Sequence, residues 1–260
     1  MVAPARPDLV PDASLSREEM ETLQRDIADL ASFADDLPFD PSSLGDPVSA
    51  ASSTEEPPIV AGVDQAFLTD AEKAVSAVVA MRGGEVIERA HAVTPLEIPY
   101  IPGLLSFREG RPIVDALEGL SAEPDLLLFD GSGRIHFREA GIATHMGVVF
   151  DVPSVGVAKS PLCGTAREDL ENLPEGARVG IEANSRVEAP DGELIGYAVQ
   201  TRQYESSSRY VNPLYVSPGH RVGAETAADV VLALSAGYKL PEPTRLADSY
   251  ADEAKRTVDE

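Results

Sequence analysis

Apolar residues recur along the chain in two rhythms, and each change of rhythm marks an element. Between residues 16 and 33, Met20, Leu23, Ile27, Leu30 and Phe33 stand three or four apart, and Ser16 precedes Glu19 by three, as in a capping box. That spacing predicts an amphipathic helix. Residues 34–56 turn to Asp, Pro, Ser and Ala, a composition that predicts a solvated, flexible loop. Residues 59–67, 73–81 and 86–93 are apolar runs of strand length, and Arg82-Gly83-Gly84-Glu85 between the last two is hairpin chemistry. A helix over 106–120, a strand over 125–130, a helix over 140–150 and a strand over 155–158 follow. Residues 178–182, 193–202 and 213–217 suggest further strands, or a hairpin lengthened by 203–210. The final predicted element is a helix over 224–236, with Val230, Val231 and Leu234 as its stripe and Gly237 at its end. An antiparallel three-stranded meander followed by alternating helix and strand predicts an α/β fold with a mixed central sheet flanked by helices.

With 260 residues and 43% hydrophobic content the chain can bury a large core. It divides by composition into an acidic segment, 1–56, with one helix and the flexible insert, and a main domain, 57–260. Cys163 is the only cysteine, so no internal disulfide forms and a reducing compartment is expected. No signal-peptide core or membrane-length apolar run is present, which predicts a cytoplasmic protein with no membrane partner.

The net charge of −23 ordinarily argues against a polyanionic ligand. Its distribution changes that reading. Only Lys73, Lys159, Lys239 and Lys255 are lysines among 21 basic residues, and the acidic excess runs along the whole chain. Such a surface suits a cytoplasm salty enough to shrink the Debye length to about 3 Å. Acidity then describes a halophilic habitat; the alternative is a surface that repels nucleic acid or takes a basic partner.

Two apolar runs end in a lone carboxylate: Ile59-Val60-Ala61-Gly62-Val63 delivers Asp64, and Leu126-Leu127-Leu128-Phe129 delivers Asp130. If these strands lie adjacent and parallel, both carboxylates meet at one edge of the sheet. With Glu109 on a converging element they suggest a site for a hard divalent cation, which prefers oxygen ligands. The competing reading is that each aspartate caps a turn, as Asp130-Gly131 readily does.

Longer motifs carry a resemblance. Ala61-Gly62-Val63-Asp64, Pro99-Tyr100-Ile101-Pro102-Gly103 with Leu104 to Glu109, Val152-Pro153-Ser154-Val155-Gly156-Val157-Ala158-Lys159, Pro218-Gly219-His220-Arg221-Val222 and Leu240-Pro241-Glu242-Pro243-Thr244-Arg245-Leu246-Ala247-Asp248 closely resemble endonuclease V, the deoxyinosine 3′ endonuclease family, from about Pro58 to Ser249. The resemblance implies a ribonuclease H-like fold. It also implies hydrolysis, dependent on Mg²⁺ with Mn²⁺ as a substitute, of the second phosphodiester bond 3′ to deoxyinosine. Asp64, Glu109 and Asp130 match the family's catalytic, metal-holding carboxylates. Asp248 matches a position near the metal and its attacking water, and Lys159 a lysine that approaches the reacting phosphate.

Pro99, Tyr100, Ile101 and Pro102 match the strand-separating wedge, and the flanking prolines stiffen the turn that presents the ring. Gly103, Leu105, Gly131 and Gly133 are the expected pocket for the extruded base. His220 is a candidate phosphate or water contact, or else satisfies a local turn; His136 and His145 read as structural. Two departures stand out: Ser132, where relatives commonly carry His, and Phe137, where they often carry Pro. The expected partner is deoxyinosine-containing DNA, bound by a monomer. The alternatives are inosine-containing RNA, branched or mismatched nucleic acid, or binding without catalysis, since the sequence does not show what would discriminate a 2′-hydroxyl.

Overall fold

A computed structural model describes residues 2–44, 56–68, 71–204 and 210–259. Nine strands form one mixed sheet: β1 (Ile59–Leu68), β2 (Lys73–Arg82), β3 (Glu85–Pro95), β4 (Leu126–Asp130), β5 (Ser154–Ala158), β6 (Thr165–Ala166), β7 (Arg178–Glu182), β8 (Leu194–Val199) and β9 (Leu214–His220), in the order β3-β2-β1-β4-β5-β9-β8-β7-β6. The first three strands make the antiparallel meander expected from Gly83-Gly84, both of which take positive φ. β4 lies parallel to β1, and β5 parallel to β4. The ribonuclease H-like α/β arrangement is thus present.

Among the described residues five α-helices cover the sheet: α1 (Arg17–Leu30), α2 (Leu105–Glu118), α3 (Ile142–Phe150), α4 (Ala224–Ala233) and α5 (Glu242–Asp259). Residue parity on β1 and β4 sorts them. Ile59, Ala61, Val63, Leu127 and Phe129 pack with α2 and α3 on one face, while Val60, Leu126 and Leu128 pack with α4 on the other. Both faces are therefore apolar, as in a buried parallel sheet. None of these helices is long and apolar enough to cross a membrane.

Two expectations need correction. The loop expected from residue 34 is packed in its first part: Leu37, Phe39 and Leu44 sit against the core beneath α4. Asp35 accepts bonds from Gly223 N at 2.6 Å and Thr226 Oγ1 at 2.8 Å, placing a carboxylate at the N-terminus of α4, whose own N-cap is a glycine with no side chain to offer. Residues 45–55, the rest of that expected loop, and 205–209, within the expected hairpin extension, lie outside the described residues.

The second correction is α5, a helix beyond 224–236, the final element expected from the sequence. Its buried face is built from Thr244, Ala247, Ala251 and Ala254, small residues at helical spacing that let the helix lie close on β1 and β2.

Candidate active site

The register Val63↔Phe129 puts Asp64 level with Asp130, one residue past the last paired position, on adjacent strands about 4.8 Å apart. By parity both side chains leave the sheet on the face that α5 covers. Asp64 stands within β1, which runs on to Leu68 as the expected strand over 59–67 does, beyond the last residue paired with β4 and alongside β2. That overhang makes one wall of a cavity of ≈290 Å³ lined by Asp64, Gln65, Glu109, Asp130, Lys159 and Asp248. Glu109 enters from α2, Asp248 from α5 and Lys159 from the residue after β5. The four carboxylates and the lysine, far apart in sequence, share one hollow.

Their electrostatics follow from that crowding. Burial and the neighbouring charges of Asp130 and Asp248 push Asp64 up to about 8, although Gln65 N–H donates to it at 2.7 Å. Burial likewise raises Glu109 to about 7, against the opposing charge of Arg108. Burial works against the Lys159 ammonium, yet its 2.7 Å bond to Asp130 Oδ2 and the charges of Asp64 and Asp248 hold it above its ordinary value. One ammonium faces four carboxylates, so further positive charge relaxes the site.

All the donors are hard oxygens, which suits Mg²⁺ or Mn²⁺. Gln65 adds an orphaned acceptor: its Nε2 donates to Ser76 Oγ at 2.7 Å and to Glu109 O at 2.9 Å, while its buried Oε1 has no partner. Among the described residues no three His, Cys, Asp or Glu side chains stand in ligating geometry about one point. Asp130 Oδ2 is engaged by Lys159 instead. The donor chemistry fits the cation.

A second cavity, of ≈260 Å³, shares Asp130 and Ile142 with the first and is lined by Tyr100, Gly103, Leu105, Ser106, Gly131 and Ser132 among others. Tyr100 is 61% exposed at its rim. Ile101-Pro102-Gly103-Leu104 closes with Leu104 N donating to Ile101 O at 2.9 Å, and φ is +82° at Gly103, the marks of a type II turn.

The family model for endonuclease V matches residues 43–249. The chain belongs to the endonuclease V family. An endonuclease V of Haloarcula marismortui, a halophilic archaeon, is 59% identical over 271 residues, covering 99% of each chain. The crystal structure of the Streptomyces avermitilis endonuclease V superposes with TM-score 0.77 at 30% identity, covering 98% of each chain. A Ciona intestinalis endonuclease V, 24% identical with TM-score 0.71 over 93% of this chain and 98% of its own, was crystallised with a 24-mer DNA containing an inosine followed by a ribo-adenosine. At that identity the likeness is one of fold. Family membership makes the chain a nuclease, a hydrolase acting on nucleic acid.

Against the endonuclease V expectations, three candidates fall elsewhere. His220 lies at the far end of the sheet from Asp130, paired with Ser154 at the start of β5, and is 4% exposed. Its Nδ1 accepts from Ser32 N at 3.2 Å and its Nε2 meets Asp151 Oδ1 at 3.2 Å, so it serves local structure and not phosphate or water. Gly133 backs the pocket without lining it: a Cβ there would stand 2.2 Å from Pro218 O, and its N–H donates to Ser217 Oγ at 2.9 Å. Ile101 turns inward onto Leu104, Phe107 and Met20, leaving Pro99, Tyr100 and Pro102 as the exposed tip.

His136 and His145 are buried and held neutral, at about 3 and about 4, chiefly by desolvation, consistent with structural roles. Ser132 lines the second cavity, and Phe137 packs against Gly103, where a Cβ would lie 2.7 Å from its ring. Gln65 escaped sequence reasoning, although a polar residue one step from Asp64 in a buried run was the available signal.

Proposed function

We propose that this chain nicks DNA at the second phosphodiester bond 3′ to a deoxyinosine, leaving 3′-hydroxyl and 5′-phosphate ends, in the salt-rich cytoplasm of a halophile. The observation that carries the reading is the pairing of two adjoining hollows. One is lined by Asp64, Glu109, Asp130, Asp248 and Lys159 and the other by Tyr100, Gly103, Leu105 and Gly131, with Asp130 common to both.

In this reading Asp64, Glu109 and Asp130 hold Mg²⁺, with Asp248 beside them. The cation supplies polarisation of the phosphoryl oxygen and a bound water of lowered pKa. Lys159, released from Asp130, offsets charge that develops on the phosphate. Tyr100 stacks into the gap left by the extruded base, and an inosine mispair opens more readily than a normal pair. Leu105 and Ser106, in the first turn of α2, carry amides with no partner within the helix and so offer donors to the carbonyl that deamination introduces. Gly131 lets the backbone approach that base closely.

The test is metal-dependent cleavage of a single-deoxyinosine duplex by wild type, Asp64→Ala and Glu109→Ala. Activity that needs added Mg²⁺ and disappears in both variants supports the reading. Equal activity in EDTA, or in either variant, ends it.

A further inference from the structure

Beneath the exposed tip at Tyr100, three donors meet on one oxygen. Gly103 O accepts from Gln24 Nε2 at 2.8 Å, from His136 Nε2 at 3.0 Å and, at 3.4 Å, from Arg138 Nη2. The network closes on itself, since Arg138 Nε donates to Gln24 Oε1 at 2.7 Å and Arg138 N donates to His136 Nδ1 at 3.2 Å. These bonds fix every orientation. A carbonyl only accepts, so the amide nitrogen of Gln24 must face it, and a histidine whose Nδ1 receives an amide N–H carries its own proton on Nε2.

Gln24 belongs to α1, 79 residues from Gly103 in sequence, and is fully buried. It lines neither hollow; Gly103 and His136 do line the second. A separate apolar contact joins the same elements: Met20 and Leu23 of α1 pack with Ile98, Ile101, Leu104 and Phe107. Gly103, left-handed at φ +82°, links the exposed tip to the helix that carries Glu109. Unclamped, that glycine would be a hinge. Its carbonyl has two lone pairs, and Gln24 and His136 occupy them, which closes this oxygen to substrate and makes it an anchor.

We infer that Gln24 is a positioning residue for substrate recognition, through which the first helix fixes the turn between Tyr100 and Glu109. The inference rests on the function proposed above and extends it to the acidic N-terminal segment, in which the sequence marks a helix but no site residue.

Two variants test it. Gln24→Leu removes both bonds, whereas Gln24→Glu keeps the acceptor for Arg138 and turns the group facing Gly103 O from a donor into a carboxylate oxygen. In both, kcat/KM on a single-deoxyinosine duplex should fall by about 10-fold or more, as expected for a misplaced recognition element. Mn²⁺ affinity, measured by calorimetry without DNA, should stay at the wild-type value because the carboxylate hollow is untouched. Should Gln24→Leu not fold, Gln24→Glu decides alone. Wild-type cleavage by Gln24→Glu overturns the inference, and so does a parallel loss of Mn²⁺ affinity, which would make Gln24 a general scaffold residue. A wild-type protein that ignores the duplex overturns the proposed function instead.

Discussion

Gly62 and Pro243 meet backbone to side-chain position: a Cβ on Gly62 would lie 2.1 Å from the Pro243 carbonyl carbon. The first turn of α5 therefore rests directly on β1, and this contact sets where Asp248, just over one turn further along, stands relative to Asp64. Gly62→Ala should push α5 away, with overpacking costing about 1–3 kcal/mol of stability and a displacement near 1 Å lowering kcat by about 100-fold. Thermal melts and single-turnover cleavage check both. A variant with full activity would show that Asp248 does not depend on this contact.

Asp64 gives a pH prediction. Its ordinary value is 3.8 and burial lifts it to about 8 in the folded chain, so the folded state holds this proton more tightly than the unfolded state does. The associated stability is complete below the unfolded value and drains away as pH rises towards 8. Metal-free Asp64→Asn, which cannot ionise, should then melt above metal-free wild type at pH 8, and the gap should close as pH falls towards 4. Parallel melting curves across that range would refute the assignment. Saturating Mg²⁺ should stabilise wild type and not the variant, because cation and proton compete for the same oxygens.

Lys159 competes with a cation for Asp130, given the 2.7 Å bond between them. Lys159→Met should bind Mn²⁺ at least as tightly as wild type, yet lose about 100- to 1,000-fold in kcat if its charge stabilises the transition state. Weaker Mn²⁺ binding with unchanged kcat would reverse both halves of that statement.

Tyr100 is exposed at the rim of the second hollow, and stacking on a base is worth about 1–3 kcal/mol. Tyr100→Ala should therefore reduce cleavage of an inosine-containing duplex several-fold more than cleavage of the same single strand, where no stack must be opened. Equal losses on the two substrates would remove the wedge role.

Much of this was legible in the residues. The apolar runs ending in Asp64 and Asp130 announced two buried strands with carboxylates at one edge, and Gly83-Gly84 announced the hairpin, because these signals are local. The register that levels the two aspartates is not local. Nor are the bonds from Gln24 to Gly103 and from Gln65 to Glu109, which span 79 and 44 residues and depend on how helices land on the sheet. α5 stayed hidden because its buried face is alanine, whose small size serves close packing and leaves little hydrophobic contrast. His220 sits in one of the motifs that carry the resemblance, yet strand direction takes it to the end of the sheet away from Asp130. Residues 35–44 read as loop because Asp35 and Phe39 find their partners in and beneath α4, almost 200 residues later.

The most direct measurement is a nick map. A duplex with one deoxyinosine is incubated with the protein in molar KCl and Mg²⁺, and the products are sized at single-nucleotide resolution beside Asp130→Ala. Cleavage at the second phosphodiester bond 3′ to the deoxyinosine, absent in the variant, is the expected result. A nick at the inosine's own 5′ side, or cleavage that survives Asp130→Ala, would contradict it.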